Sequence, residues 1–421
     1  MKNPGRSFRV AIILITSLFF LWGFALNLNP ILIPHLKKAC QLTDVQSAFI
    51  DSASYIAYFL MAIPAGRFIR RFGYKNGIVT GLSLFAAGAF LIYPASVTRE
   101  YPFFLCALFI IASGLAFLET AANPYIVVLG EKETATQRLN LAQSFNGLAA
   151  FLAPLIGGTL ILSGKSLSAS DQSSMSDLQI QQYLDKEASA VQLPFIIIGI
   201  VVLLVAVLLF RSKLPEISET APGSSPRKSS VLKEKKLMFG VLAQFFYVGA
   251  QVCVSSFFIR FAQKTGDVGE KDAALLLSLA LLGFMAGRFI GTFLMRFVAP
   301  ARLLLIYSLI NIVLLCIAVA FKNIVSVYSL MGVEFFMSIM FPTIFSLSIH
   351  GLGNKTKEGS SLLIMSIVGG ALFPVIMGKV SDVSSIEMAY LVPATCFIGV
   401  LAFAVKCVGD EKQKSQAVAA V

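Results

Sequence analysis

Residues 101–130 read YPFFLCALFIIASGLAFLETAANPYIVVLG, an almost unbroken apolar run with one carboxylate, Glu119, inside it. A helix needs about twenty apolar residues to cross the hydrocarbon core of a bilayer, and this run is longer than that. Because lipid offers the backbone no hydrogen-bond partner, a run of this length predicts a helix rather than a loop. The stretch therefore predicts a membrane-spanning helix that carries a buried acid.

Similar apolar runs recur along nearly the whole chain. Of its 421 residues, 57% are hydrophobic and only 13% are charged, whereas about a quarter of the residues of a soluble domain are charged. We predict an all-α polytopic membrane protein whose twelve helices cover residues 8–35, 45–70, 76–96, 101–129, 138–163, 191–211, 238–262, 272–298, 301–321, 324–351, 358–381 and 387–407.

The net charge of +12 is distributed as a topology signal. Lysine and arginine concentrate in the segments that alternate helices place on one side, such as 67–75 and 211–236. An excess of basic residues in short loops marks the cytoplasmic side of a membrane protein. We therefore expect a multi-pass protein of the bacterial cytoplasmic (inner) membrane, with both termini inside and no nucleic-acid partner.

No enzymatic or metal-binding motif accompanies these runs. The six cysteines are scattered without a CxxC pair, and the two histidines, His35 and His350, have no ligand partner at metal spacing. HExxH, GxSxG and phosphate-loop patterns are absent as well. We expect no metal, no cofactor and no enzyme activity.

The polar stretches predict the domain organisation. The segment 212–236, centred on APGSSPRKSS (221–230), has the composition of a flexible linker. It predicts an N-terminal six-helix bundle (1–211), a cytoplasmic linker (212–237) and a C-terminal six-helix bundle (238–421) with a short cytoplasmic tail. The other long polar segment, 164–190, is expected to be an outer loop.

The two halves repeat one another in sequence. AGRFI occurs at 65–69 and again at 286–290, and a proline followed four residues later by glycine occurs at Pro154/Gly158 and Pro374/Gly378. Pro124 and Pro342 are separated, like the two copies of each of these motifs, by about 220 residues. A common offset is expected for a duplicated transporter bundle. Two such bundles can rock about a site near mid-membrane and expose it to each side in turn.

Polar side chains inside the apolar runs indicate where that site lies, since they are costly in lipid and normally face the pathway. Glu119 can accept hydrogen bonds from substrate hydroxyls and could also bind and release a proton. Amides both donate and accept, which suits a neutral sugar, although any one amide could equally join two helices. The aromatic plane of Trp22 can pack on the C–H face of a sugar ring. The remaining predicted site residues are Asn27, Asn123, Gln143, Asn146, Tyr247 and Gln251. Arg260 and Arg288 are expected close to helix ends, so the amides are predicted to have no fixed cation beside them.

Five segments resemble the fucose permease branch of the major facilitator superfamily: 18–37, 118–130 (LETAANPYIVVLG), 138–150 (RLNLAQSFNGLAA), 242–251 and 342–353. The resemblance covers essentially the whole chain. It implies the superfamily fold of two pseudo-symmetric six-helix bundles, a monomer, and sugar–proton symport by alternating access with the proton gradient as energy source. It also implies that Glu119 is the substrate-linked protonatable carboxylate, with Asn27, Gln143 and Asn146 among the cavity amides.

One departure bears on proton coupling. The family usually has an aspartate in the first helix, where this chain has Pro30 in the sequence NPILIP (29–34). Uncoupled facilitative sugar transport is therefore an alternative to symport, and a membrane sugar sensor is a more remote one. Asp51 is predicted at a depth similar to that of Pro30, so we hypothesise that it replaces the missing acid; Glu334 is a weaker candidate.

Overall fold

The computed structural model describes residues 4–27, 36, 39–41, 44–161, 175–212, 214–215 and 230–419. Within these ranges every regular element is helical. The α-helices are α1 (Pro4–Leu26), α2 (Asp44–Thr98), α3 (Tyr101–Val128), α4 (Ala135–Ile161), α5 (Asp177–Ser189), α6 (Gln192–Arg211), α7 (Lys235–Gly266), α8 (Glu270–Leu294), α9 (Pro300–Ala320), α10 (Ile324–Met337), α11 (Met340–Ile349), α12 (Thr356–Met365), α13 (Gly369–Val383), α14 (Ile386–Ala389) and α15 (Leu391–Ala419).

The predicted membrane architecture is confirmed. Among the described residues, nine helical segments are long and apolar enough to cross a membrane, and Ile12–Leu26 is a shorter apolar helix. One of the nine, Ala53–Thr98, holds two predicted spans that the chain joins at Gly73. Gly73 has φ 86° and ψ 169°, a conformation that residues other than glycine rarely adopt. The chain can therefore change direction there without a polar loop.

Two predicted element boundaries differ from the structure. The predicted span 324–351 is divided into α10 and α11, because Pro342 has no N–H to donate to the carbonyl of Ser338. The expectation that 164–190 is only a loop is wrong for its second half, which forms α5. The side chains of Ser176 and Gln179 form a capping box that starts this helix.

The chain forms two compact units, each made of two stretches of sequence. Unit 1 comprises Met1–Ala122 and Leu148–Glu216, and unit 2 comprises Asn123–Gly147 and Ile217–Val421. The second unit thus includes the end of α3 and the first half of α4. Most of the predicted linker, 213 and 216–229, lies outside the described residues.

Unit 1 is held together by close helix packing through small residues. A Cβ atom added at Gly81 of α2 would lie 2.8 Å from the carbonyl oxygen of Gly114 in α3, and one at Gly114 would lie 2.6 Å from the amide nitrogen of Phe85. Both obstacles are backbone atoms, which cannot move aside as a side chain can. Helices associate closely in membranes through such small residues, because the apolar lipid gives them no hydrophobic drive to associate.

Unit 2 packs around α7. Its buried side chains include Tyr247, Phe258 and Phe261, which belong to one continuous apolar cluster with residues of α9, α10 and α15. The start of this helix is fixed by an ion pair in which Lys355 Nζ lies 2.5 Å from Glu234 Oε1. A well-packed α7 therefore supports the polar groups that it carries toward its middle.

Candidate functional site

The predicted acid Glu119 is buried in unit 1, with 6% of its surface exposed. Its carboxylate accepts a hydrogen bond of 2.7 Å from the phenol of Tyr58, which belongs to the first half of α2. Tyr58 is itself 3% exposed. The pair places a proton-binding group and a hydroxyl donor in an interior where an ionised carboxylate needs partners to be tolerated.

Tyr58 is a residue that the sequence analysis did not identify. It lies 61 positions from Glu119 along the chain, in a run of mostly apolar residues. Tyrosine is common at buried helix positions, so its residue type alone gives no functional signal. Only the packing of α2 against α3 shows that its hydroxyl meets the acid.

Two other predicted residues lie on α1 or at its end. The ring of Trp22 is 1% exposed and packs against the ring of Phe19, with the centroids 4.1 Å apart. The side-chain amide of Asn27 donates a hydrogen bond of 2.7 Å to the carbonyl of Gly23. Both side chains have structural partners within their own helix, and their roles in sugar binding stay predictions.

The hypothesis about the missing acid falls largely outside the described residues. Pro30 is not among them, and Asp51 is described only as part of the backbone of α2. Replacement of the family's aspartate by Asp51 therefore stays a prediction.

Three predicted amides meet in unit 2. The side chain of Gln143 donates a hydrogen bond of 3.2 Å to the amide oxygen of Asn123. The amide nitrogen of Asn123 is buried and has no hydrogen-bond partner among the described residues. A buried amide donor without a partner is uncommon in proteins and is suited to a ligand oxygen.

The prediction that no cation accompanies these amides is wrong. Arg288 of α8 is 5% exposed. One of its terminal nitrogens lies 2.6 Å from the carbonyl oxygen of Gln143, 3.4 Å from the amide oxygen of the same residue and 3.5 Å from that of Asn146. The cation lies beside both amide oxygens and favours the orientation in which each oxygen faces Arg288.

A local backbone effect explains why Arg288 is buried here rather than at a helix end. Its Nε donates a hydrogen bond of 3.1 Å to the carbonyl of Ser338, the group that Pro342 leaves without its helical donor. Its guanidinium also lies over the ring of Phe284, 4.7 Å from the centroid. The proline of α11 thus creates the acceptor that holds the arginine.

The two predicted residues of α7 differ in their surroundings. The hydroxyl of Tyr247 is buried and donates a hydrogen bond of 3.0 Å to the carbonyl of Met337. Gln251 is partly buried, and its backbone carbonyl accepts a hydrogen bond of 3.2 Å from Ser255. Tyr247 is therefore engaged in joining α7 to α10, whereas the side chain of Gln251 lies nearer the surface.

The chemistry available is that of proton binding and hydroxyl recognition. Unit 1 offers a carboxyl group with a phenol donor, and unit 2 offers amides positioned by a cation. Within the described part of the chain, no group of three or more His, Cys, Asp or Glu side chains could hold a metal ion. The described side chains thus offer hydrogen bonds and an exchangeable proton.

Comparison with known proteins agrees with this chemistry. The family model "Major Facilitator Superfamily" matches residues 13–365. A glucose/galactose transporter of Brucella abortus is 40% identical over 395 residues, which are 93% of this chain and 92% of that protein. The L-fucose-proton symporter of Escherichia coli is 42% identical over 414 residues, which are 96% and 94% of the two chains.

The structure is similar to that of a solved relative. A crystal structure of the E. coli fucose:proton symporter FucP matches with a TM-score of 0.87 and 40% identity, over 95% of this chain and 99% of that one. All these relatives are transporters by name, and none is named as an enzyme. The chain belongs to the major facilitator superfamily and, within it, to the branch of the fucose permease.

Proposed function

We propose that this protein carries a neutral monosaccharide, L-fucose or a related hexose such as glucose or galactose, together with a proton by alternating access. The observation that carries the proposal is the buried pair of Glu119 and Tyr58. The names of its relatives, sugar transporters and an L-fucose-proton symporter, agree with this assignment.

Glu119 is the group that links sugar to proton. When protonated, it is neutral and can donate to a sugar hydroxyl; when ionised, it accepts from the hydroxyl of Tyr58 at 2.7 Å. An ionised carboxylate is costly to bury in the membrane interior, so a proton or a ligand donor stabilises it. Binding of the two is thereby coupled at one side chain.

The amides of unit 2 supply recognition of hydroxyl groups. Arg288 lies beside the amide oxygens of Gln143 and Asn146, and the nitrogen of Asn123 has no hydrogen-bond partner among the described residues. Donors that are fixed in advance lose less entropy when a ligand binds. Arg288 positions the amides and carries the fixed charge, so the ligand itself can be neutral.

Alternating access requires reversible contacts, and the first half of α4 makes two side-chain hydrogen bonds to α11 within unit 2. The hydroxyls of Thr136 and Ser346 lie 2.9 Å apart, and the amide of Asn140 donates a hydrogen bond of 3.2 Å to Thr343. In sequence, α4 belongs to the first repeat and α11 to the second. Hydrogen bonds between neutral groups contribute only about 0.5–1.5 kcal/mol each, so such contacts can break and re-form during a transport cycle.

The cellular setting follows from the charge pattern and the relatives. We propose that the protein lies in the bacterial inner membrane as a monomer, with both termini in the cytoplasm. The sugar and the lipid bilayer are its partners, and the proton gradient is its source of energy.

Uptake in proteoliposomes tests the proposal. We expect the wild-type protein to accumulate labelled L-fucose, glucose or galactose above equilibrium under an inward proton gradient, and a protonophore to abolish accumulation. Glu119→Gln should lose accumulation and weaken sugar binding, because the amide cannot exchange a proton. Glu131→Gln is the matched control, since this exposed acid lies just beyond α3, the helix that carries Glu119. Unchanged binding and accumulation in Glu119→Gln would refute the proposed role of the acid.

Pro30 keeps uncoupled transport as a second candidate. The resemblance to the fucose permease branch implies that an aspartate is usual at this place in the first helix, and Pro30 cannot carry a proton. A uniporter would equilibrate the sugar but never concentrate it, whatever the proton gradient. Equilibration that a protonophore does not affect would therefore favour uniport over symport.

A further inference from the structure

Unit 2 contains a second buried carboxyl group, Glu334 of α10. It has no exposed surface. One oxygen accepts a hydrogen bond of 2.7 Å from the hydroxyl of Ser255 in α7. The other oxygen is buried and has no hydrogen-bond partner among the described residues.

The hydroxyl of Ser255 has two acceptors within reach. Its oxygen lies 2.7 Å from Glu334 Oε1 and 3.2 Å from the carbonyl oxygen of Gln251. A hydroxyl carries only one proton to donate, but it can also accept. If Glu334 is ionised, Ser255 donates to it; if Glu334 is protonated, the acid can donate to Ser255, which then donates to Gln251. The serine thus has a complete hydrogen-bond arrangement for each protonation state.

Among the described residues, no cation forms an ion pair with this carboxyl group. Tyr247 of α7 and Tyr390, which follows α14, lie near enough to Glu334 for an electrostatic interaction. Two nearby cations act on these tyrosines: Arg288 of α8 on Tyr247, and Arg260 of α7 on Tyr390. An unpaired carboxylate is costly to bury, whereas a neutral acid with one hydrogen bond is tolerated.

A further polar side chain, that of Asn311, lies level with Glu334 on the neighbouring helix α9. The rings of Tyr307 and Phe336 are in contact, with centroids 5.0 Å apart. A Cβ atom on Gly332 would lie 3.0 Å from a methyl group of Leu314. Asn311 falls between these two contacts, level with Glu334, and both of its amide atoms are buried without a partner among the described residues. Buried polar atoms without a partner are uncommon in proteins, and polar side chains inside a membrane bundle usually face a pathway or site.

Glu334 lies about one helical turn from the position that the sequence repeat pairs with Glu119. Glu119 precedes Pro124 by five residues, and Glu334 precedes the corresponding Pro342 by eight. Three residues are close to one helical turn. Each half of the chain therefore carries an acid near the same place in its fourth span, and each acid accepts a hydrogen bond of 2.7 Å from a hydroxyl group.

We propose that Glu334 is a second proton-binding residue of the transport cycle and that Ser255 is its positioning partner. This inference rests on the proposed proton symport. Glu334 takes a proton from the outer solution onto its carboxylate and gives the same proton up to the cytoplasm. As it does so, Ser255 changes its acceptor between Glu334 and the carbonyl of Gln251. The chain thereby has a second acid although proline replaces the family's aspartate in the first helix.

Proton-driven accumulation compared with exchange tests the inference. A gradient of one pH unit corresponds to a tenfold sugar ratio for each coupled proton. With full-length protein in proteoliposomes and labelled L-fucose, glucose and galactose, we expect Glu334→Gln to lower the accumulation ratio about tenfold at a gradient of one pH unit, because one coupled proton is lost while Glu119 keeps the other. Sugar exchange across the membrane at equal pH should persist in this variant, because exchange needs no net proton release. Glu387→Gln is the matched control: this acid accepts a hydrogen bond of 3.0 Å from Thr265 of α7 but is partly exposed.

Ser255 provides a second test that keeps the carboxyl group. Ser255→Ala should lower accumulation while exchange persists, and Ser255→Thr should restore accumulation because it restores the hydroxyl. This pair decides the matter if Glu334→Gln does not fold.

Three outcomes would overturn the inference. They are accumulation by Glu334→Gln at the wild-type ratio, loss of exchange together with accumulation in a folded Glu334→Gln protein, and unchanged accumulation in Ser255→Ala. Failure of the wild-type protein to accumulate any sugar under the gradient would instead refute proton symport itself, so the two failures are distinguishable.

Discussion

Replacing Arg288 by methionine should weaken both the folded state and the sugar site. The side chain is 5% exposed and donates hydrogen bonds of 3.1 Å to the carbonyl of Ser338 and 2.6 Å to that of Gln143. Methionine can fill a similar volume over the ring of Phe284, but it cannot donate. Both carbonyls would lose a charged donor, and the amides of Gln143 and Asn146 would lose the cation that orients them.

The magnitude follows from these contacts. Hydrogen bonds to a charged group contribute about 1.5–3 kcal/mol each, so two of them give a gross loss of about 3–6 kcal/mol. The variant no longer has to desolvate a guanidinium, which offsets part of this loss. We expect a net loss of about 2–3 kcal/mol, equivalent to a factor of about 30–150 in an equilibrium constant. For a cooperative unit of this size, that corresponds to a melting temperature lower by about 4–12 °C.

Thermal unfolding of the purified protein, with and without saturating sugar, measures both effects. Arg260→Met is the matched control, because Arg260 lies over the ring of Phe257 at 4.6 Å but is exposed. We expect Arg288→Met to melt earlier than this control and to gain less stability from sugar, since ligand stabilisation depends on the dissociation constant. The reasoning is refuted if both variants melt together and are stabilised equally by sugar.

Two further predictions concern unit 1. Tyr58→Phe keeps the ring but removes the donor to Glu119, so we expect the sugar concentration for half-maximal uptake to rise about tenfold or more. The control Tyr93→Phe, on the exposed face of the same helix, should transport normally. Equal behaviour of the two variants would contradict the role of Tyr58. Gly81→Ala places a Cβ atom 2.8 Å from a backbone oxygen and should lower the melting temperature. In the control Gly283→Ala, the Cβ atom meets nothing within 4 Å, so this variant should be neutral or stabilised by about 1 kcal/mol. A Gly81→Ala protein as stable as Gly283→Ala would show that the close approach of α2 and α3 is not required.

The helices that the sequence predicts best are those whose signal is local. A long apolar run determines a membrane helix by itself, because the backbone has no alternative partner in lipid. By contrast, α5 is polar, and an apolar-run criterion does not detect it. Its capping box, Ser176 with Gln179, is a sequence signal that would have indicated the start of a helix.

Site residues were predictable only as residue types in unusual places. Glu119 stands out because a carboxylate inside an apolar run is costly, and the structure buries it as expected. Arg288 was expected near a helix end because basic residues usually lie there in membrane proteins. Its burial depends on the carbonyl of Ser338, which Pro342 frees from another segment of the chain.

The sequence by itself determined that this chain is a bundle of membrane helices, that its halves repeat, and that an acid lies within the fourth span. The helices and the buried acid depend on the solvent that each residue meets, which residues close together in sequence decide, and the repeat is seen by comparing the two halves. The tertiary structure alone decided that Tyr58 meets Glu119, that Ser255 meets Glu334 and that Arg288 donates to the carbonyl of Gln143. A hydrogen bond forms only between atoms about 3 Å apart, and the packing of distant helices, rather than their composition, brings such atoms together.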